Sequence, residues 1–262
     1  MNSSVRSRPF RALAQLAIWI AGSAALLQGQ GGPPPEGATA PPKAAKAAAP
    51  IDLTGYWVSL VTEDWMYRMV TPPKGDYSSV PLNAAGRKVA DDWDPAKDEA
   101  GGEQCKSYGA AAIVRVPGRL HIAWADENSL KIDTDSGEQT RVFHFNSRVP
   151  PTTESTLQGY SAAEWQKAGG NGRGPHNPGG SLQVTTTHLK PGYLRKNGVP
   201  YSSGTVLTEY YNRATEPNGD SWLIVTTIVE DPQYLRQPFV TSTHFKYLPT
   251  ASGWDPMPCS TR

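Results

Sequence analysis

Glu209 is the residue whose type and setting best suit chemistry. In the run Thr205–Arg213 it shares a period-two face with Leu207, Tyr211 and Arg213, while Val206, Thr208, Tyr210 and Asn212 take the other face. Neither face is decisively apolar. With the first face inward, Glu209 is a carboxylate among aromatic rings. Burial raises a carboxylate pKa, and a neighbouring arginine lowers it. A second run, Glu138–Phe145, carries Arg141 on one face and His144 on the other. Glu209, Arg141 and His144 are the candidate catalytic residues for general acid–base chemistry without metal or nucleotide, as in an isomerase, dehydratase or lyase. The alternative is an interior ion pair that is purely structural, since such networks also perturb pKa values.

The second candidate chemistry is binding. Eight tryptophans and eleven tyrosines offer stacking surfaces for an apolar or aromatic small molecule. Trp57, Tyr211 and Trp165 are the expected ligand-contacting rings, with core packing as the competing role of Trp57. Other chemistries find less support. The histidines, 121, 144, 176, 188 and 244, show no His-x-x-x-His spacing, and a calcium loop begun at Asp92 would put Lys97 where a glycine is needed. The glycines at 169–174 lack the Lys-Ser or Lys-Thr of a phosphate loop. Gly159-Tyr160-Ser161-Ala162-Ala163, followed by Asp231 and His244, approaches a nucleophile elbow. It has no apolar strand before the serine and no glycine after it. No cofactor or metal is expected.

Such residues need a scaffold, and the pattern is that of an all-β chain. Twenty-four prolines and 25 glycines argue against long helices. Runs rich in Val, Ile, Thr, Tyr, Phe and Trp read as strands. They are Gly55–Thr62, with Trp65–Val70 as an extension, Ala111–Val116, Arg119–Trp124, Ser129–Thr134, Glu138–Phe145, Ser181–Leu189, Thr205–Arg213, Trp222–Glu230 and Phe239–Tyr247. Asp135-Ser136-Gly137 and Asn218-Gly219 mark hairpins. Asn83–Trp93 reads as the one short helix. Residues 146–180, Gly- and Pro-rich, fit no strand; they hold a short helical turn at Ala162–Trp165 and read as a mobile insertion or a flap over a barrel mouth. Sequential strands pair with neighbours and must hide their edges. The expected fold is an irregular, antiparallel up-and-down β-barrel, with a β-sandwich as the alternative.

The N-terminus points outside the cytoplasm. Arg6, Arg8 and Arg11 precede an apolar run from Ala12 to Leu27, the order of a secretory signal. Residues 1–30 are read as that signal, 31–50 as a flexible Pro/Ala-rich spacer, and 51–262 as a single β-rich domain. A membrane partner arises only through an uncleaved N-terminal segment. Cys105 and Cys259, the two cysteines, are expected to pair in an oxidising compartment. Charge is nearly balanced at 25 basic and 24 acidic groups, which leaves no footprint for nucleic acid. The expected location is periplasmic or secreted.

Two resemblances add to this. Gly55-Tyr56-Trp57 resembles the Gly-x-Trp start of lipocalins. That likeness implies a barrel whose closed end is plugged by Trp57, packed on a base from a late strand, Arg213 or Lys246. Gln104-Cys105, Gly159-Tyr160-Ser161 with Trp165, Thr208-Glu209-Tyr210 with Arg213, and Val229-Glu230-Asp231-Pro232 are similar to a group of exported bacterial proteins of unknown function. This likeness spans most of 52–259 and implies an envelope address. The expected function is binding of a small apolar or aromatic molecule. The alternatives are the acid–base enzyme and an envelope scaffold.

Overall fold

In a computed structural model, residues 43–152, 154–167 and 179–261 are described. The strands are β1 (Gly55–Leu60), β2 (Arg119–Asp126), β3 (Ser129–Thr134), β4 (Thr140–His144), β5 (Tyr160–Lys167), β6 (Gly180–Thr187), β7 (Gly192–Arg195), β8 (Val199–Tyr201), β9 (Val206–Thr215), β10 (Ser221–Glu230) and β11 (Phe239–Leu248). Period-two burial builds them. Along β10, Leu223, Val225, Thr227 and Val229 are buried, and the residues between them lie half-buried on the outer face.

Nine strands close into a barrel in the order β1-β11-β10-β9-β6-β5-β4-β3-β2, and β7–β8 form a separate hairpin. The all-β barrel expected from the sequence is therefore present. A ring with an odd number of strands cannot alternate direction throughout, so one neighbouring pair must be parallel. That pair is β4–β5, with Phe143 opposite Ser161 and His144 opposite Ala162. The chain from Phe145 to Gly159 accordingly travels back along the barrel before β5 begins. The β9–β10 hairpin turns at Asn218-Gly219, where Gly219 takes a left-handed φ of 89°.

Four short helices lie outside the ring: α1 (Trp65–Arg68), α2 (Ala84–Asp92), α3 (Pro95–Ala100) and α4 (Ala110–Ile113). Helix α2 matches the expected one and is capped by Asn83, whose side chain accepts from the Gly86 N–H at 2.9 Å. Three local expectations are corrected. Trp65–Val70 does not extend β1; Asp64 adopts a left-handed φ of 48° and starts α1 instead. Ala111–Val116 is not a strand. Its alanines favour helix and are too small to fill a pleated face, so Ala110–Ile113 forms a buried plug. Residues Ala162–Trp165 are not a helical turn but part of β5, which pairs with β6 from Tyr160–Thr187 to Lys167–Gly180. Cross-strand pairing with a Thr-rich partner overrides the weak local pattern.

The spacer expected over 31–50 ends early. The Ala45 N–H donates to Asn128 Oδ1 at 2.9 Å, and its carbonyl accepts from Trp165 Nε1 at 2.9 Å. The signal expected over 1–30, the rest of the spacer and the glycines at 169–174 lie outside the described residues.

Inside the ring the side chains stack in layers. One apolar cluster holds Trp57, Ile122, Phe143, Leu182, Tyr211, Leu223 and Phe245. A second, beneath the helices, holds Leu82, Ala110, Tyr201, Leu207, Val229 and Phe239. Between them along β9, β10 and β11 come Glu209, Thr227, Thr241 and Thr243, all buried. The barrel axis is thus filled, with a polar layer sandwiched between two apolar ones.

Cys105 and Cys259 form the expected disulfide, across a sequence separation of 154 residues. It ties the 3-10 turn Gln104–Tyr108 to the segment after β11. Chain entropy puts an upper figure of roughly 5 kcal/mol on a loop this long. Replacing Cys259 by Ser is expected to lower unfolding free energy by about 2–4 kcal/mol, the usual range for a native bridge. Urea unfolding of oxidised wild type against the variant reads this directly; equal midpoints would show that the bridge adds nothing to the barrel.

Candidate functional site

The sequence candidates divide on the structure. Arg141 on β4 and Glu209 on β9 both point inward and meet in a bidentate pair. Arg141 Nη1 donates to Glu209 Oε1 at 2.9 Å and Nη2 to Oε2 at 2.6 Å. Tyr211 donates its hydroxyl to Glu209 Oε1 at 3.1 Å, and Arg141 Nη2 also reaches Thr186 Oγ1 at 3.2 Å. Thr186 in turn bonds Ser161 at 2.8 Å. Burial opposes the charge on Arg141, but Glu209 and Tyr211 outweigh it and hold the guanidinium pKa above its ordinary value. Burial and the neighbouring carboxylate push the Tyr211 phenol well up. Both Glu209 oxygens are occupied, and the residue is 0% exposed. The arrangement has the character of an internal lock.

His144 stands apart. It lies on the outer face of β4, stacked on Tyr160 at 4.8 Å between ring centroids, and burial lowers its pKa. Opposite faces of one strand separate it from Arg141, so the three residues do not form one site. Ser161, Asp231 and His244 are not assembled either. Ser161 bonds Thr186, Asp231 accepts from the Ser202 N–H at 2.6 Å and the Thr205 hydroxyl at 3.1 Å, and His244 pairs with Thr62 at 2.9 Å.

The aromatic candidates are core residues. Trp57 is fully buried, donates to the Leu53 carbonyl at 3.0 Å and meets Tyr247 edge-on. Of the two bases named for it, Arg213 lies over its ring at 5.5 Å, while Lys246 lies over Trp222 at 5.9 Å. Trp165 packs with Phe145 and Trp124 and is covered by Ala45. Tyr211 belongs to the lock.

Open space lies elsewhere, in a cleft of about 520 Å³ beside the helices. Its walls include Tyr67 and Arg68 of α1 with Met69 after it, Tyr108 with Ala112, Arg115 and Val116 around α4, the Ser136-Gly137 turn, Arg195 and Lys196 at the end of β7, and Met257–Ser260. The last wall is fixed three ways. Cys259 is bonded to Cys105, the Gly137 N–H donates to the Met257 carbonyl at 2.8 Å, and the Met257 N–H donates to the Asp135 carbonyl at 2.9 Å. Gly137 has a left-handed φ of 79°, and a Cβ there would lie 2.2 Å from the Tyr108 ring. Only glycine lets that turn pass the cleft wall.

Three arginines gather at the cleft. Arg68 donates through Nε to the Arg115 carbonyl at 2.9 Å, through Nη2 to Ser59 at 3.1 Å, and pairs with Glu63. Arg115 Nη2 pairs with Asp64 at 2.9 Å. Arg195 donates to the Ser78 carbonyl at 2.7 Å and to Ser79 at 2.8 Å, and stacks over Tyr67 at 4.5 Å. Burial, then the charge of Arg115, lowers the Arg195 pKa, and the same two influences act on Arg68, partly offset by Glu63.

Sequence reading missed this cleft because its residues come from segments taken as strand or turn. The one signal was Arg115, a lone charge ending the apolar run Ala110–Val114. The described residues hold no cluster of metal-ligating side chains.

The lock itself generates a prediction. Glu209→Gln leaves a guanidinium buried without its counter-charge and is expected to cost about 3–5 kcal/mol of stability. Glu209→Leu combined with Arg141→Met removes both charges and should recover most of that loss. Urea unfolding of the three proteins checks this; wild-type stability in Glu209→Gln would return that residue to the acid–base assignment. Comparison of the chain with protein-family models, with curated proteins and with solved structures finds no match.

Proposed function

We propose that the protein is an exported β-barrel that binds a small molecule with an apolar or aromatic body. The ligand sits in the cleft beside the helices rather than on the barrel axis. The observation that carries this reading is the cleft itself. Its 520 Å³ volume falls within the range of small-molecule sites, and Tyr67, Met69, Tyr108, Val116 and Met257 give it apolar and aromatic walls. The axis, by contrast, is packed with side chains. The sealed Arg141–Glu209 pair supports the structural role of those residues over the acid–base alternative. Export is supported by the signal-like N-terminus and by the disulfide, which persists in oxidising compartments. No helix among the described residues is long and apolar enough to cross a membrane.

A neutral naphthalene probe, naphthamide, tests the site. Met257 lines the cleft and is 57% exposed, so a charge there leaves the fold intact. Met257→Glu is expected to weaken naphthamide binding roughly 10-fold, since a carboxylate replaces apolar contact area. Titration by probe fluorescence reads the change. Equal affinity in wild type and variant, or no binding by either, would remove the cleft as the ligand site.

A further inference from the structure

We infer that the ligand of this cleft carries an anionic group, a carboxylate or a phosphate, which Arg115 and Arg195 receive between them. The inference rests on the cleft as the binding site and adds the charge of what it holds. It starts from two atoms. Arg115 Nη1 and Arg195 Nε are buried and have no hydrogen-bond partner among the described residues. Arg115 is 6% exposed and Arg195 5%, and both line the cleft. A buried donor left unpaired costs free energy, more so on a charged group. Folding has nonetheless placed the two arginines that carry them in the lining of one cavity.

The charge balance points the same way. Among the described residues, Arg68, Arg115 and Arg195 face two carboxylates within ion-pair distance, Glu63 on Arg68 and Asp64 on Arg115. Arg195 is held by neutral oxygens of Ser78 and Ser79, and has no ion pair among the described residues. Among the described residues the cluster therefore sets three guanidiniums against two carboxylates. An anion there relieves the repulsion between guanidiniums and takes the free N–H donors. Guanidinium N–H groups suit both carboxylate and phosphate oxygens. Orientation of the guest follows. Its anionic end seats on Arg115 and Arg195, and its apolar body lies along Tyr67, Met69 and Met257.

The test compares naphthoate and naphthyl phosphate with neutral naphthamide, using the full folded protein. Wild type is expected to bind at least one anion roughly 10-fold or more tightly than the amide, in line with charge-assisted hydrogen bonds. Arg115→Gln is expected to abolish that preference, read as the ratio of anion to naphthamide affinity on the same variant. The stronger of the two anions tells carboxylate from phosphate. Amide binding with no anion preference in wild type overturns this inference and leaves the cleft reading standing; no binding of any probe overturns the cleft reading itself. If Arg115→Gln does not fold, the wild type still decides. Inorganic phosphate should displace the bound anion and spare the amide, and displacement of neither or of both equally counts against the anion site.

Discussion

Two opposite charges sealed inside the barrel set the terms for everything around them. Arg141 and Glu209 come from strands on different parts of the ring, and they meet only when β4 and β9 both present odd-numbered residues inward. A one-residue slip in either strand would turn its charge to the surface and bring a neighbour such as Val142 or Tyr210 to the axis. The partner charge would then be buried alone. The pair therefore disfavours wrong registers strongly, even where its net contribution to stability is small. Thr186 and Ser161 extend the same constraint to β6 and β5, including the parallel junction that an odd ring requires.

A barrel closed around such a lock leaves no lumen for a guest. The open volume lies where helices, the β7–β8 hairpin and the segment after β11 converge. This separates two tasks. The strands carry stability and register. The shorter elements carry the open cleft, supported by a rigid scaffold. The same residue type serves both: Arg141 is engaged by Glu209, Tyr211 and Thr186 inside the barrel, while Arg115 and Arg195 stand in the wall of the cleft.

Much of this was legible in the sequence, for a physical reason. Strands such as β10 and β11 bury every second residue, and that alternation survives in the chain as a pattern. Asn218-Gly219 named its own turn because few residue pairs tolerate that backbone. Glu209 and Arg141 could be assigned to faces of two separate strands, but which face turns inward, and the distance between the two residues, could not be read. What could not be read depended on partners far along the chain. Helix α4 looks like a strand until its alanines are seen buried against β7 and the 3-10 turn before it. β5 looks irregular until β6 pairs with it. The cleft needed segments near 67, 108, 115, 195 and 257 to be brought together, and no local pattern announces such a meeting.

The disulfide has a topological consequence. Cys105 precedes β2 and Cys259 follows β11, so one covalent ring encloses ten of the eleven strands. A single cut in any loop within that ring yields two pieces that stay joined by sulfur and by strand pairing on both sides. A protease would nick such a barrel without taking it apart. Only a second cut, or a reductant, would let a fragment leave.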